Sequence, residues 1–145
     1  MLVGLSQLPD YAKLFIDTLP AWKGERAQVV GLVGELGAGK TTFVQKVAEL
    51  LGIRERVTSP TFVIAKPYDT EHPLFRRLVH IDAYRLGPDE PDTFGFAAYI
   101  ADPENLVIVE WPERIPGGMP EGARRLSFDV AGEEARQITE DHGKT

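Results

Sequence analysis

No cysteine occurs in the chain. A disulfide scaffold and a thiolate metal site are thereby excluded, which fits a protein of the reducing cytosol. No apolar run approaches the about 20 residues that cross a bilayer. The opening MLVGLSQLPD has neither the basic start nor the small-residue cleavage site of a secretory leader, so a cytoplasmic location is expected. A basic surplus is also missing: 16 Lys and Arg stand against 22 Asp and Glu, a formal net charge of −6. A protein that grips nucleic acid unaided draws most of its affinity from neutralising phosphates. Any RNA is therefore expected to be held by a partner, and the pairs Arg76–Arg77 and Arg124–Arg125 read as solvated surface. Asparagine is nearly absent as well. The single one, Asn105, is followed by Leu106, and no Thr-Lys-x-Asp occurs, so the guanine-recognition motif of a GTPase is lacking. Asp92–Gly95 spells D-x-x-G but follows no apolar strand, and the GTPase reading is set aside.

What is present is the ordinary mix of a soluble globular domain: 43% hydrophobic and 26% charged residues in 145. That length suits one domain with a real core, taken as residues 1–139 with a polar, frayed tail at 140–145. Pro9–Leu19 is expected to be a helix capped by Ser6, with Tyr11, Leu14, Phe15 and Thr18 at helical spacing. Ala27–Val33 is a continuous, valine-rich apolar run and reads as a buried strand. A Gly-rich turn at Gly34–Gly39 precedes an amphipathic helix through Phe43, Val44, Val47, Ala48, Leu50 and Leu51, with Gly52 where a C-terminal cap belongs.

Further strands are expected at Phe62–Tyr68, near an edge because Pro67 cannot donate to a ladder, at Leu78–Asp82 and at Leu106–Glu110. A helix at Thr93–Ile100 capped by Asp92, turns at Gly87–Pro91 and Pro116–Gly122, and a hairpin of Leu126–Val130 with Arg136–Ile138 complete the reading. Strands mixed with helices at this spacing indicate an α/β fold with a mixed central sheet flanked by helices.

Gly34–Thr41, GELGAGKT, satisfies the G-x-x-x-x-G-K-S/T phosphate-loop pattern. Gly34, Gly37 and Gly39 allow positive φ and a close approach of backbone N–H groups, Ala38's among them, to an anion. The helix beginning near Gly39 aims its unsatisfied N–H groups and positive dipole end at the same phosphates. Lys40 is expected to reach the β- and γ-phosphates and the Thr41 hydroxyl to coordinate Mg²⁺, with Thr42 beside them. The flanking strand and helix argue against a chance glycine turn with a solvent-exposed lysine. ATP and Mg²⁺ are the expected ligands.

A phosphate loop also needs an acid from another strand to hold the metal and a group to position the attacking water. Asp82 and Glu110 each end an apolar strand, the carboxyl end where ligands of open α/β sheets gather. Each carboxylate has a plainer alternative, capping a loop or pairing with Arg85 or Arg114. Ser59–Thr61 is a switch-like hydroxyl loop or a simple turn around Pro60. Trp111 is core, stacking surface or partner anchor. His80 reads as a hydrogen-bonded core histidine, and His72 and His142 show no zinc spacing.

In sequence, Leu36–Thr42, Ser59–Phe62, His80–Leu86 (HIDAYRL) and Glu110–Glu113 (EWPE) resemble the successive motifs of the TsaE family, bacterial ATPases of tRNA threonylcarbamoyladenosine biosynthesis. The agreement runs from about Ser6 to Ile115. It implies a compact P-loop NTPase fold, ATP hydrolysis, and work in a complex with TsaD and TsaB. It further implies that Thr41 and Glu110 bind Mg²⁺, that Asp82 positions or activates water, that Ser59–Thr61 is switch-like, and that Trp111 lies near the nucleotide or the partner. Lys40, Asp82 and Glu110 are thus the expected catalytic residues. The match departs at Pro9–Tyr11, so no adenine contact is assigned there, and no arginine finger in cis stands out beyond Arg85 and Arg114. A small-molecule kinase remains an alternative, with Arg76 and Arg77 as its lid candidates although no lid-length insertion is visible. A nucleotide-dependent docking module is another.

Overall fold

The computed structural model describes residues 1–22, 24–35, 37–58, 64–86, 94–115 and 117–141. Seven described strands, β1 (Leu2–Gly4), β2 (Gln28–Val33), β3 (Ala65–Asp69), β4 (Arg77–Asp82), β5 (Asn105–Glu110), β6 (Arg124–Val130) and β7 (Ala135–Asp141), form one sheet. Their order is β1-β7-β6-β2-β5-β4-β3. The central β6, β2, β5 and β4 run parallel, while β3, β7 and β1 pair antiparallel at the two sides. The chain is therefore an α/β P-loop NTPase-like domain with the mixed sheet expected of it. Among the described residues no helix is long and apolar enough to cross a membrane.

Three described α-helices, α1 (Leu8–Thr18), α2 (Lys40–Leu50) and α3 (Phe96–Ala101), cover the sheet. Strands buried on both faces read as unbroken apolar runs, which is why β2, β4 and β5 are recognisable from sequence. Their side chains alternate between two cores. Val30, Leu32, Leu106 and Ile108 pack with Phe43 and Val47 of α2 and Phe15 of α1. On the other face, Val29, Val79, Ile81, Val107 and Val109 pack with Phe96, Ile115 and Met119. Glu110 is opposite Leu32 across β2–β5, and Asp82 is opposite Glu110 across β4–β5. Parallel pairing thus brings both acids to the same end of the sheet as the loop leaving β2.

Several boundaries differ from those expected. Ser6 does not cap α1: it lies in a 3-10 turn, Leu5–Gln7, and the cap position is Gln7, whose Oε1 instead accepts the Gly4 N–H at 2.9 Å. The buried face of α1 is Leu8, Ala12, Phe15 and Ile16, whereas Leu14 is exposed. Pro9 does occupy the first turn. Helix α2 starts at Lys40, directly after Gly39 as expected, and Gly52 follows it at φ 76. Helix α3 starts only after Gly95, and Asp92 and the turn Gly87–Pro91 lie outside the described residues, as do Ser59–Thr61, Phe62 and His142. Strand β3 is at the sheet edge, as Pro67 requires. Glu140 and Asp141, read from sequence as part of the tail, are the last residues of β7, where Glu140 is opposite Leu126; residues 142–145 lie outside the described ones. Strand β1, too short to show a period, was invisible to patterning.

Candidate nucleotide site

The loop leaving β2 turns into α2 through Gly39, whose φ of 99 is left-handed and closed to most side chains. The Phe43 N–H bonds the Gly39 carbonyl at 2.9 Å, closing the first helical turn. The amides of Lys40, Thr41 and Thr42 precede that bond and are the groups a helix start leaves without intrahelical acceptors. They face a cleft of about 290 Å³ whose wall includes Leu5, Gly37, Gly39, Lys40, Thr41, Thr42, Asp82, Glu110, Trp111 and Arg136. Such a helix start favours anions through both its N–H groups and its dipole. A larger cavity, about 550 Å³, opens among Gly24–Val29 and Pro120–Arg124, at the amino ends of β2 and β6 and away from the loop.

Lys40 is buried at 4% exposure. Its ammonium donates to the Gly34 carbonyl and sits 4.0 Å from the centroid of the Trp111 ring. Burial lowers its pKa from the usual lysine value, with Glu110, Asp82, Glu113 and Glu35 acting in the opposite direction. Thr41 Oγ1 is 3.2 and 3.1 Å from the two carboxylate oxygens of Glu110. His80 Nε2 is 2.7 Å from Glu110 Oε2, with His80 fully buried. Glu110 is thus held by a hydroxyl and an imidazole, and neither the Arg85 nor the Arg114 pairing accounts for its position. Asp82 Oδ1 accepts the Tyr84 N–H at 3.0 Å, an Asx turn that directs the chain out of β4.

Trp111 adopts φ 61 and ψ 54, the one positive φ outside glycine among the described residues. Its ring lies 5.0 Å from that of Tyr84, and the Arg114 guanidinium stacks over both, at 5.2 Å from Tyr84 and 5.8 Å from Trp111. The indole thus stacks on the cleft wall and also packs, partly buried, against the core beneath it.

The structure brings Gly37, Gly39, Lys40, Thr41, Thr42, Asp82 and Glu110 to one cleft. Gly34 and Ala38 do not line it: the Gly34 carbonyl accepts from Lys40, and the Ala38 N–H is taken by the Glu35 carbonyl at 3.1 Å. The switch candidates Ser59–Thr61 lie outside the described residues. Two side chains were not foreseen in their contacts. His80 is the buried histidine expected, but its partner is the candidate acid; its position two residues before Asp82 on a strand puts the two on one face, which was the available signal. Arg136 reaches the loop from β7, donating to the Ala38 carbonyl at 3.0 Å and the Gly37 carbonyl at 3.3 Å. Its only trace in the sequence is an alternation with buried Ile138.

The donor set fits the expected ligands. Thr41 and Glu110 offer hard oxygen atoms, as Mg²⁺ prefers, and one carboxylate with a hydroxyl leaves the remaining positions to phosphate and water. Among the described residues no group of three or more His, Asp or Glu forms a protein-only metal cage.

A family model described as threonylcarbamoyl adenosine biosynthesis protein TsaE matches residues 7–138. A tRNA threonylcarbamoyladenosine biosynthesis protein TsaE from Bacillus subtilis (strain 168) is 38% identical over 125 residues, covering 86% of this chain and 75% of the relative. One from Streptomyces coelicolor is 42% identical over 120 residues, 77% of each. Among solved structures, the crystal structure of Bacillus subtilis YdiB matches with a TM-score of 0.70 at 30% identity, over 99% of this chain and 84% of that one.

Proposed function

The chain belongs to the TsaE family of tRNA threonylcarbamoyladenosine biosynthesis, and from that premise we propose that it is the subunit that binds Mg·ATP and transfers its γ-phosphoryl group to water. The observation that carries this reading is the contact of Thr41 Oγ1 with both Glu110 oxygens at the mouth of the phosphate loop, with Lys40 on the same cleft. A hydroxyl and a strand-end acid held together beside a loop lysine are what phosphoryl transfer asks of a protein that does no covalent chemistry itself.

In this reading the loop N–H groups and Lys40 hold the phosphates and stabilise the charge that develops on the transferring group. Lys40 leaves the Gly34 carbonyl to do so. Thr41 and Glu110 would hold Mg²⁺, which when bound neutralises charge on the phosphate oxygens. Asp82, one strand beyond Glu110, orients the attacking water for in-line displacement. The family name ties the work to tRNA modification at adenosine. We assign the ATPase to the complex of TsaD and TsaB type proteins that transfers threonylcarbamoyl, with tRNA met through those partners and not through this acidic chain.

Steady-state phosphate release tests the proposal, measured for the protein alone and with a cognate TsaB–TsaD pair, with Lys40→Ala as the blank. Release that needs Lys40 and rises when the pair is added is the expected outcome. Full activity in Lys40→Ala would remove the loop from the mechanism, and phosphate found on a small acceptor would make the protein a kinase.

A further inference from the structure

Arg136 is the centre of the second half of the sheet, opposite Val130 of β6 and Val3 of β1. It is 8% exposed, and its four hydrogen bonds among the described residues all go to carbonyl oxygens. Two belong to its own hairpin: Nη1 reaches Gly132 at 3.2 Å and Ala135 at 2.9 Å. The other two belong to the phosphate loop, Ala38 at 3.0 Å and Gly37 at 3.3 Å. Among the described residues no carboxylate pairs with it. A buried cation served only by carbonyls is an expensive arrangement, so what it does for the loop is the question.

A trans peptide directs its N–H opposite its C=O, and no cis peptide is present among the described residues. With the Ala38 carbonyl held on Arg136, the Gly39 N–H is turned away from the hairpin. Ala38 N–H is already committed to the Glu35 carbonyl at 3.1 Å. The two glycines flanking Ala38, at φ 80 and 99, leave the segment free to take other shapes. The planar guanidinium restrains it through two consecutive carbonyls at fixed spacing, which a lysine ammonium cannot reproduce while also serving the hairpin. Its uncompensated charge lies on the same cleft wall and adds to the field that favours an anion.

We propose that Arg136 is a positioning residue for the nucleotide: from β7 it fixes the phosphate loop in its anion-binding shape, making the C-terminal hairpin part of the ATP site. The inference rests on the ATP-binding reading above and extends it to a residue 98 positions from its loop partner.

Calorimetric titration of ADP and of a non-hydrolysable ATP analogue, each with Mg²⁺, tests it on the wild type, Arg136→Lys, Arg136→Gln and Arg124→Lys, each variant's stability being measured by urea unfolding. Arg124 lies in the same hairpin but bonds Glu140 and Thr18, away from the loop. Both Arg136 variants should weaken nucleotide binding by about tenfold or more, as expected for loss of a charge-assisted hydrogen bond. In hydrolysis the KM for ATP should rise with it while the saturated rate holds. Arg124→Lys should lose stability without losing affinity. Unchanged affinity in Arg136→Gln overturns the proposal, as does equal weakening in Arg124→Lys, which would make the effect one of hairpin stability. A wild type that binds neither nucleotide would overturn the ATP reading itself, and the inference with it.

Discussion

Lys40 has its ammonium between the Gly34 carbonyl and the Trp111 face, out of water and with its pKa lowered chiefly by burial. The unfolded chain binds that proton more tightly than the folded one, so stability rises with pH between the lowered value and the ordinary lysine value. The cost of keeping Lys40 charged in the fold is present below that window, neutral pH included. Nucleotide binding has the opposite sign, because phosphates favour the ammonium. Affinity for ADP should therefore fall as pH climbs through the lowered Lys40 value, before free lysines titrate, and Lys40→Ala should flatten that fall; titrations at a series of alkaline pH values check both. His80 makes a second prediction at this scale. Its Nε2 is a donor to a buried carboxylate, and its Nδ1 has no hydrogen-bond partner among the described residues. Replacing it with phenylalanine fills the space but leaves Glu110 one donor short. His80→Phe should lose about 1–3 kcal/mol in chemical denaturation and weaken Mg·ADP binding; a variant as stable and as tight as wild type would show that Thr41 alone suffices.

Strand β2 and the short 3-10 turn Pro112–Arg114 after β5 meet at Gly31, where an added Cβ would lie 2.8 Å from Pro112 Cγ and 2.9 Å from Pro112 Cβ. The proline ring cannot rotate away, and the turn it starts holds Trp111 in its left-handed conformation through the Trp111 N–H to Leu32 at 3.3 Å and the Arg114 N–H to Trp111 at 3.0 Å. Such a conformation costs about 1–2 kcal/mol outside glycine and persists because its surroundings fix it. Gly31→Ala should thus destabilise by roughly 1–3 kcal/mol through overpacking and shift the tryptophan emission, since Trp111 must move with Pro112. Unfolding in urea and the emission spectrum check the two effects. The strand–loop–helix unit was legible because its signals are local: an apolar run buried on both sides, glycines where φ turns positive, and a lysine and threonine at the helix start. Strands β4 and β5 with their terminal acids were legible for the same reason. The insertion of β6 beside β2, the three-residue β1 and the grip of Arg136 were not, because each depends on pairing between segments far apart in the chain, which no local period encodes.

The whole molecule is a parallel core carrying the loop and both acids, with an antiparallel half, β6, β7 and β1, attached through β2–β6 pairing. Besides its apolar packing, in which Phe128 meets Phe43 of α2 at 5.6 Å, two arginines tie that half down. Arg124, 3% exposed, makes a two-pronged pair with Glu140 at 2.9 Å and bonds the Thr18 hydroxyl of α1 at 2.9 Å; at the other end Arg136 holds the loop. Tyr11 of α1, in the field of Arg124 and Glu140, has its pKa raised first by burial and then by Glu140, so its share of stability is present below the usual tyrosine value and fades as pH rises through the raised one. An ordered loop and an ordered hairpin therefore stabilise one another, and a ligand that fixes the loop should report in β7. By linkage, a nucleotide at a hundred times its Kd adds about 2.7 kcal/mol to whatever opening must release it. Hydrogen exchange with and without Mg·ADP should show β7 amides slowed along with the loop, while those of the β3 edge strand, which shares no side chain with the site, change little. Removing Arg136 should abolish the β7 effect at saturating nucleotide while protection of the loop remains. Equal slowing of β3 and β7 would instead mean that the sheet opens as a single unit, with no separate coupling between hairpin and loop.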